Sequence, residues 1–257
     1  MDPEKKGRRQ INKQQGAWQP GCLEMITIES NLQGIRDRLS AAARQCGRRP
    51  EDITLIAVGK NFSADFLSAA IKAGQCHFGE NRVQEAESKI PQFRSTPNLT
   101  WHMIGHLQSN KARRAAELFD VIHSVDSIKL ARRLGEASVD LGKTLPVLIQ
   151  VDLGQEETKF GSDRSQVAAI VEEILRWGDL RPDGLMTIPP FFEDPKRTRP
   201  YFTELREMLL SLETEQPGCL GRKHLSMGMS HDFEVAIQEG ATMVRIGTAI
   251  FGERYLG

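Results

Sequence analysis

The chain has 257 residues, with 34 basic and 34 acidic side chains and a formal net charge of zero. At 39% hydrophobic and 26% charged residues it has ordinary globular composition, which excludes a disordered, collagenous or coiled-coil chain. Zero net charge argues against a general nucleic-acid binder, which needs a basic excess to release counterions, and no apolar run approaches the roughly 18 residues of a membrane span.

Residues 1–24 are polar and aperiodic, with Pro3, Gly7, Gly16 and Pro20, and read as a flexible N-terminal extension with Met25 as the natural start. Lys5, Lys6, Arg8 and Arg9 have no apolar stretch behind them, which argues against a secretory signal. A first helix is expected over 30–45, where Leu32, Ile35, Leu39 and Ala42 recur at helical spacing and Ser30 can cap.

A strand-helix unit then repeats. ITLIAVGK (53–60) is an apolar, β-branched strand, followed by a helix over 63–73 with Ser63 as its cap. Further strands are expected at 76–81, 99–105, 120–126, 145–153, 182–188, 223–229 and 241–252, most of them separated by helical patterns. Eight largely apolar strands point to a parallel sheet closed as a (β/α)8 TIM barrel, residues 25–257 forming one domain. An open doubly wound sheet is the alternative, but no G-x-G-x-x-G follows any strand.

A barrel of this kind carries its chemistry at the C-terminal ends of its strands. Strand seven ends in Ser226-Met227-Gly228-Met229-Ser230 and leads toward a helix, and strand eight ends in Gly247-Thr248. Small residues, two hydroxyls and a helix start suit an anion, and the loops after strands seven and eight are the usual phosphate site of the fold. The same residues also read as a plain helix cap and turns. Lys60 shares a strand face with Ile56 and Val58, so a desolvated, nucleophilic amine is one reading and a solvated strand-tip lysine the other. Amine and phosphate cradle across one barrel mouth suit pyridoxal 5′-phosphate (PLP), held as a Schiff base. Arg245 faces the same side as Gly247, where it could meet the pyridine nitrogen, or form a salt bridge inside the barrel. His102 and His123 sit within strands and read as core histidines or cofactor neighbours. No histidine spacing forms a metal triad, and Asp152 with Glu156 is a weak acid-base pair. Cys22, Cys46, Cys76 and Cys219 contain no C-x-x-C, as expected of reduced thiols in a cytoplasmic protein.

On LIAVGK (55–60), HFGENRVQE (77–85), WHMIGHLQSNK (101–111), ETKFG (157–161), GLMTIPP (184–190), LSMGMSHDFEVAIQEGAT (225–242) and VRIGTAIFGER (244–254), the sequence resembles the pyridoxal phosphate homeostasis proteins. The resemblance runs from about Met25 to Arg254 and implies a barrel like the N-terminal domain of alanine racemase. It implies PLP on Lys60, its phosphate around Ser226, Ser230, Gly247 and Thr248, Arg245 toward the pyridine nitrogen, and Asn81 and His102 nearby. It also implies a PLP carrier without clear catalysis that keeps PLP and amino-acid pools in balance; apo-PLP enzymes as acceptors and a monomeric state are the expectations that go with that reading. Gly59 and Asn61 depart from the family's usual Ser-Lys-Thr around the lysine. A PLP-dependent amino-acid racemase is the alternative function. It needs a second base, and the two tyrosines, Tyr201 and Tyr255, follow no strand, while the chain ends soon after strand eight without room for a second catalytic domain.

Overall fold

The computed structural model describes residues 20–154 and 160–252, and side chains from residue 27 onward. Helix α1 spans Pro20–Gln45. It begins at Pro20 rather than near Ser30, because Ile28 extends the buried stripe of Leu32, Ile35 and Leu39 one turn back, and proline's fixed φ suits a first turn. Ser30 therefore lies within the helix and caps nothing.

The strands are β1 Thr54–Val58, β2 His77–Glu80, β3 Thr100–Met103, β4 Val121–Val125, β5 Leu145–Gln150, β6 Leu180–Met186, β7 His224–Ser226 and β8 Met243–Ile246. They pair in parallel in chain order, and β8 closes onto β1 through Thr54↔Met243 and Ile56↔Arg245. The outer helices are α2 Ala64–Lys72, α3 Val83–Lys89, α4 Ala112–Leu118, α5 Ile128–Leu141, α6 Val167–Leu175, α7 Arg199–Glu215, α8 Phe233–Gln238 and α9 Thr248–Phe251. The architecture is a (β/α)8 barrel, as the alternation of patterns implies. The sequence run 241–252 divides into β8 and the single turn α9, with Gly247 between them as the N-cap of α9.

Alternation along each strand sorts its side chains. Leu55, Ala57, Phe78, Trp101, Val147, Ile149, Val244 and Ile246 join the large core beneath the helices, while Ile56, Leu148, Met186 and Met243 form a separate inner cluster. The rest of the interior is polar, with His102, His123, Ser226 and Arg245 all buried. Gly184 on β6 has φ +153°, and a Cβ there would stand 2.0 Å from the His224 carbonyl oxygen, so glycine lets β6 approach β7. Ser127 caps α5 by accepting from Leu130 N–H. Ser63 stands at the N-terminus of α2 as expected, yet no side-chain cap bond forms there. Among the described residues, Cys46, Cys76 and Cys219 are free thiols, and no helix is long and apolar enough to cross a membrane.

Candidate functional site

The C-terminal mouth of the barrel opens into a cavity of about 620 Å³ whose lining includes Lys60, Asn81, Ser230, Arg245, Gly247 and Thr248. Lys60 stands two residues beyond β1, in a turn built from below. Gly59 N–H donates to the Gly79 carbonyl (3.0 Å), Lys89 Nζ donates to the Gly59 carbonyl (2.8 Å), and Asn61 N–H donates to Glu85 Oε2 (3.0 Å). Asn61 adopts φ +65°, a left-handed conformation that asparagine tolerates. A Cβ on Gly59 would stand 2.9 Å from Glu80 Oε1 and 3.1 Å from Leu67 Cδ1. The residues flanking Lys60 are therefore fitted to this turn.

Glu80 points away from the cavity into the layer under α3. Its Oε1 accepts from Lys89 Nζ at 2.9 Å, and its Oε2 is buried without a partner. Burial pushes the Glu80 carboxyl up to about 7 against the opposing pull of Lys89. A buried lysine, Lys89, and a buried glutamate thus sit directly beneath the turn that presents Lys60.

Across the mouth, Ser230, Gly247 and Thr248 come together from the loops after β7 and β8, as the spacing implies. Ser230 Oγ lies 3.5 Å from the Ala249 N–H at the first turn of α9. Ser230 does not cap α8, which starts at Phe233 behind Asp232. Asp232 accepts instead from Met229 N–H (2.7 Å) and folds the loop back.

Ser226, Met227 and Gly228, expected in the phosphate cradle, do not line the cavity. Met227 is fully buried, and its N–H donates to the Met243 carbonyl (3.1 Å). Gly228 has φ +92° and accepts the Arg245 N–H (3.0 Å) at its carbonyl, and a Cβ there would stand 2.6 Å from that of Ala236. These two shape the loop that carries Ser230. Ser226 faces the barrel interior, where its Oγ accepts from Arg245 Nη1 at 2.6 Å.

Arg245 joins the interior to the cavity. Its Nη2 donates to the Thr187 carbonyl (2.9 Å), and burial lowers its guanidinium to about 10. No carboxylate pairs with it among the described residues, so the expected alternative of a salt bridge does not hold. His102 also lies away from the cavity. Its Nδ1 is 2.9 Å from His123 Nε2 and its Nε2 is 3.1 Å from His77 Nδ1. Burial holds His102 down to about 3, and desolvation with the nearby His102 and Arg245 keeps His123 well below the ordinary imidazole range.

Asn81 enters the rim because β3 passes close beneath it: a Cβ on Gly105 would stand 2.3 Å from the Asn81 carbonyl oxygen. Sequence reasoning did not select Phe62, Gln150, His106, Phe160 or Met229 as site residues, yet all line the cavity. His106 stacks on Phe160 with ring centroids 3.7 Å apart, and its Nδ1 lies 3.2 Å from Asp126 Oδ2. Gln150 donates from Nε2 to the Phe160 carbonyl (2.6 Å), anchoring that side of the mouth. The strand-end position of Gln150 and His106 was the available signal. Glu156, Lys159 and Tyr255 lie outside the described residues, so the Asp152–Glu156 pair is not described as a unit.

A lysine after β1 and an arginine on β8, facing one cavity at the mouth of an eight-stranded barrel, define a class of fold and site. The sequence matches the family described as alanine racemase, N-terminal domain, over residues 30–255. It is 44% identical over 235 residues to the pyridoxal phosphate homeostasis protein of Escherichia coli, covering 90% of this chain and 98% of that one. The homeostasis protein of Aquifex aeolicus is 40% identical over 223 residues, covering 87% of this chain and 96% of that one. PipY of Synechococcus elongatus, solved with PLP bound, superposes with a TM-score of 0.77 at 40% identity, covering 88% of this chain and 100% of that one. Alanine racemase of Corynebacterium glutamicum shares the fold, with a TM-score of 0.67 at 18% identity over 90% of this chain and 62% of that one. The chain belongs to the pyridoxal phosphate homeostasis protein family.

Proposed function

We propose that this chain binds PLP as a Schiff base on Lys60 and serves in PLP and amino-acid homeostasis without catalytic turnover. The observation that carries the reading is the placement of Lys60 and Arg245 on one cavity, with Ser230, Gly247 and Thr248 grouped at the loops after β7 and β8. The residues fit the group chemically. An amine suits its aldehyde, hydroxyls and backbone at the start of a helical turn suit its phosphate, and Arg245 suits its ring nitrogen. Gly247 is part of that fit, since a Cβ there would stand 3.3 Å from the Val58 carbonyl oxygen and crowd the floor of the cavity. The PLP-bound PipY relative supports the choice of cofactor.

When bound, PLP supplies a reactive aldehyde and an electron-withdrawing ring. Arg245 would hold the ring nitrogen unprotonated and so weaken the ring as an electron sink. Asn81 lines the cavity and would stand beside the bound group, while Ser226, Met227, Gly228 and His102 would support it from behind the cavity wall. Tyr201 does not line the cavity, which leaves no tyrosine of the described residues as the opposing base of a racemase. His106, beside Asp126, is the observation that keeps amino-acid racemisation as the second reading, because an imidazole on the rim could exchange a proton.

The same reading places the protein in the cytoplasm as a monomer, with residues 25–257 as the PLP-binding unit, residues 1–24 as an extension, and apo-PLP enzymes as acceptors. Titration with PLP should produce a visible absorbance band that Lys60→Ala abolishes; an unchanged band in that variant would refute the assignment. Faster activation of an apo-PLP enzyme by the loaded protein than by equal free PLP supports delivery, and α-proton exchange of L-amino acids in deuterated water at enzyme-like rates would favour the racemase.

A further inference from the structure

The barrel interior behind the cavity contains a continuous hydrogen-bonded chain. His77 Nδ1 meets His102 Nε2 at 3.1 Å, His102 Nδ1 meets His123 Nε2 at 2.9 Å, and His123 Nδ1 meets Ser226 Oγ at 2.9 Å. Ser226 Oγ in turn accepts from Arg245 Nη1 at 2.6 Å. His102, His123 and Ser226 are 1%, 0% and 0% exposed, so no bulk water competes along the chain. The other end, His77, is half-buried at the start of β2, on the face of the barrel opposite the cavity. This chain crosses the interior, where barrels of this type ordinarily carry branched apolar side chains.

We propose that His77, His102 and His123 form a single tautomer-locked relay that acts through Ser226 to position Arg245, and that its far end opens to solvent on the opposite face of the barrel. These three histidines and Ser226 are positioning residues. The inference rests on the reading of Arg245 as the residue facing the cofactor ring.

Counting protons gives the lock. A neutral imidazole has one N–H and one acceptor nitrogen. His102 and His123 each use both nitrogens in the chain, so every link must point the same way. Either all three rings carry the proton on Nε2 and Ser226 donates to His123, or all three carry it on Nδ1 and His123 donates to Ser226. In the first arrangement Ser226 accepts from Arg245, donates to His123, and is satisfied. In the second, Ser226 accepts twice, and its own hydroxyl proton has no acceptor among the described residues. An unsatisfied buried donor carries its full desolvation penalty, which selects the first arrangement.

The charged groups around the chain agree with that choice. Arg245 stands at the Ser226 end and opposes a second positive charge on His123. His224 lies near His102 and His123 and is itself held down by burial, while Asp120 faces His77 from the far end and pulls the other way. Burial is the largest influence on His77 and lowers it. Protonating His77 would place two N–H groups against each other at the His77–His102 link. Relief requires every ring to switch to Nδ1–H, which leaves the Ser226 hydroxyl proton stranded beside Arg245.

Imidazole nitrogen shifts of the chain without PLP, at neutral pH, read the tautomers directly. His77, His102 and His123 should all be Nε2–H. A mixture of forms among the three, or an Nδ1–H His123, overturns the lock. In His77→Phe, which alters only the half-buried end, His102 should remain Nε2–H, because the direction is set from Ser226 through His123; a His102 that switches to Nδ1–H overturns the coupling. Ser226→Ala should weaken PLP binding about fivefold, the equivalent of one lost hydrogen bond, and Ser226→Thr should restore it. Parent-like affinity in Ser226→Ala, or no rescue by Ser226→Thr, overturns the positioning role. If the parent chain takes up no PLP, the binding reading fails alone and the tautomer measurement still decides the relay.

Discussion

Replacing Lys89 with methionine tests whether the turn under Lys60 is held from below. Lys89 contributes two close bonds, to the Gly59 carbonyl and to Glu80 Oε1, and also lies 3.6 Å from Glu85 Oε2. Glu80 is fully buried and its second oxygen already lacks a partner, so Lys89→Met leaves a buried carboxylate with nothing opposing its charge. Removing one partner of a buried pair costs about 3–5 kcal/mol. The loss should depend on pH in a defined direction. In the parent, Glu80 binds its proton more tightly folded than unfolded, so its contribution is full below the ordinary value of 4.5 and declines as pH rises toward about 7. Without Lys89 the carboxyl stays protonated to still higher pH. Stability lost in Lys89→Met should therefore be small in mild acid and approach the full amount above neutrality. Urea unfolding followed by circular dichroism measures it: a slope of about 1–3 kcal/mol per molar converts the loss into a midpoint shift of at least about 1 M. Glu80→Gln added to Lys89→Met should recover most of it. A Lys89→Met midpoint equal to the parent's on the alkaline side would refute the reasoning.

Other outcomes follow from the same geometry. Gly184→Ala should destabilise by more than about 3 kcal/mol or prevent folding, because its Cβ meets the β7 backbone; thermal unfolding checks this. In acid, His102 refuses until about pH 3 a proton that the unfolded chain accepts near 6.5. Its contribution to stability is therefore lost as pH falls below 6.5, at up to about 1.4 kcal/mol per pH unit, and His102→Phe should flatten that part of the profile. Ser230→Ala and Thr248→Val should each weaken PLP binding about tenfold or more, as expected for a hydrogen bond to a charged phosphate, with little change in thermal midpoint.

Much of the barrel was legible because parallel strands buried on both faces read as apolar runs, and each run here ends near a small or polar residue. The ends were less legible. The start of α1 was missed since Ser30 resembles a cap, while Ile28 carries the buried stripe past it. The division of 241–252 into strand and helix was hidden because α9 is only four residues long, too short to show a helical period. In the sequence, alternation and strand-end position selected Lys60, Arg245, Ser230, Gly247 and Thr248, and the structure brings these five to one cavity. Ser226 and His102 were selected too and lie behind the cavity wall, because position near a strand end does not separate a residue on the wall from one behind it. Phe160 and His106 were not selected as site residues because their pairing joins loops far apart in the chain. The Glu80–Lys89 pair was hidden for a related reason: i,i+9 spacing carries no helical or strand period.

The central claim is that Lys60 holds PLP. Borohydride reduction of the PLP-loaded protein, followed by peptide mass mapping, tests it most directly. The account predicts a single pyridoxyl group on the peptide containing Lys60. Recovery of the label on another lysine, with Lys60 unmodified, would contradict it.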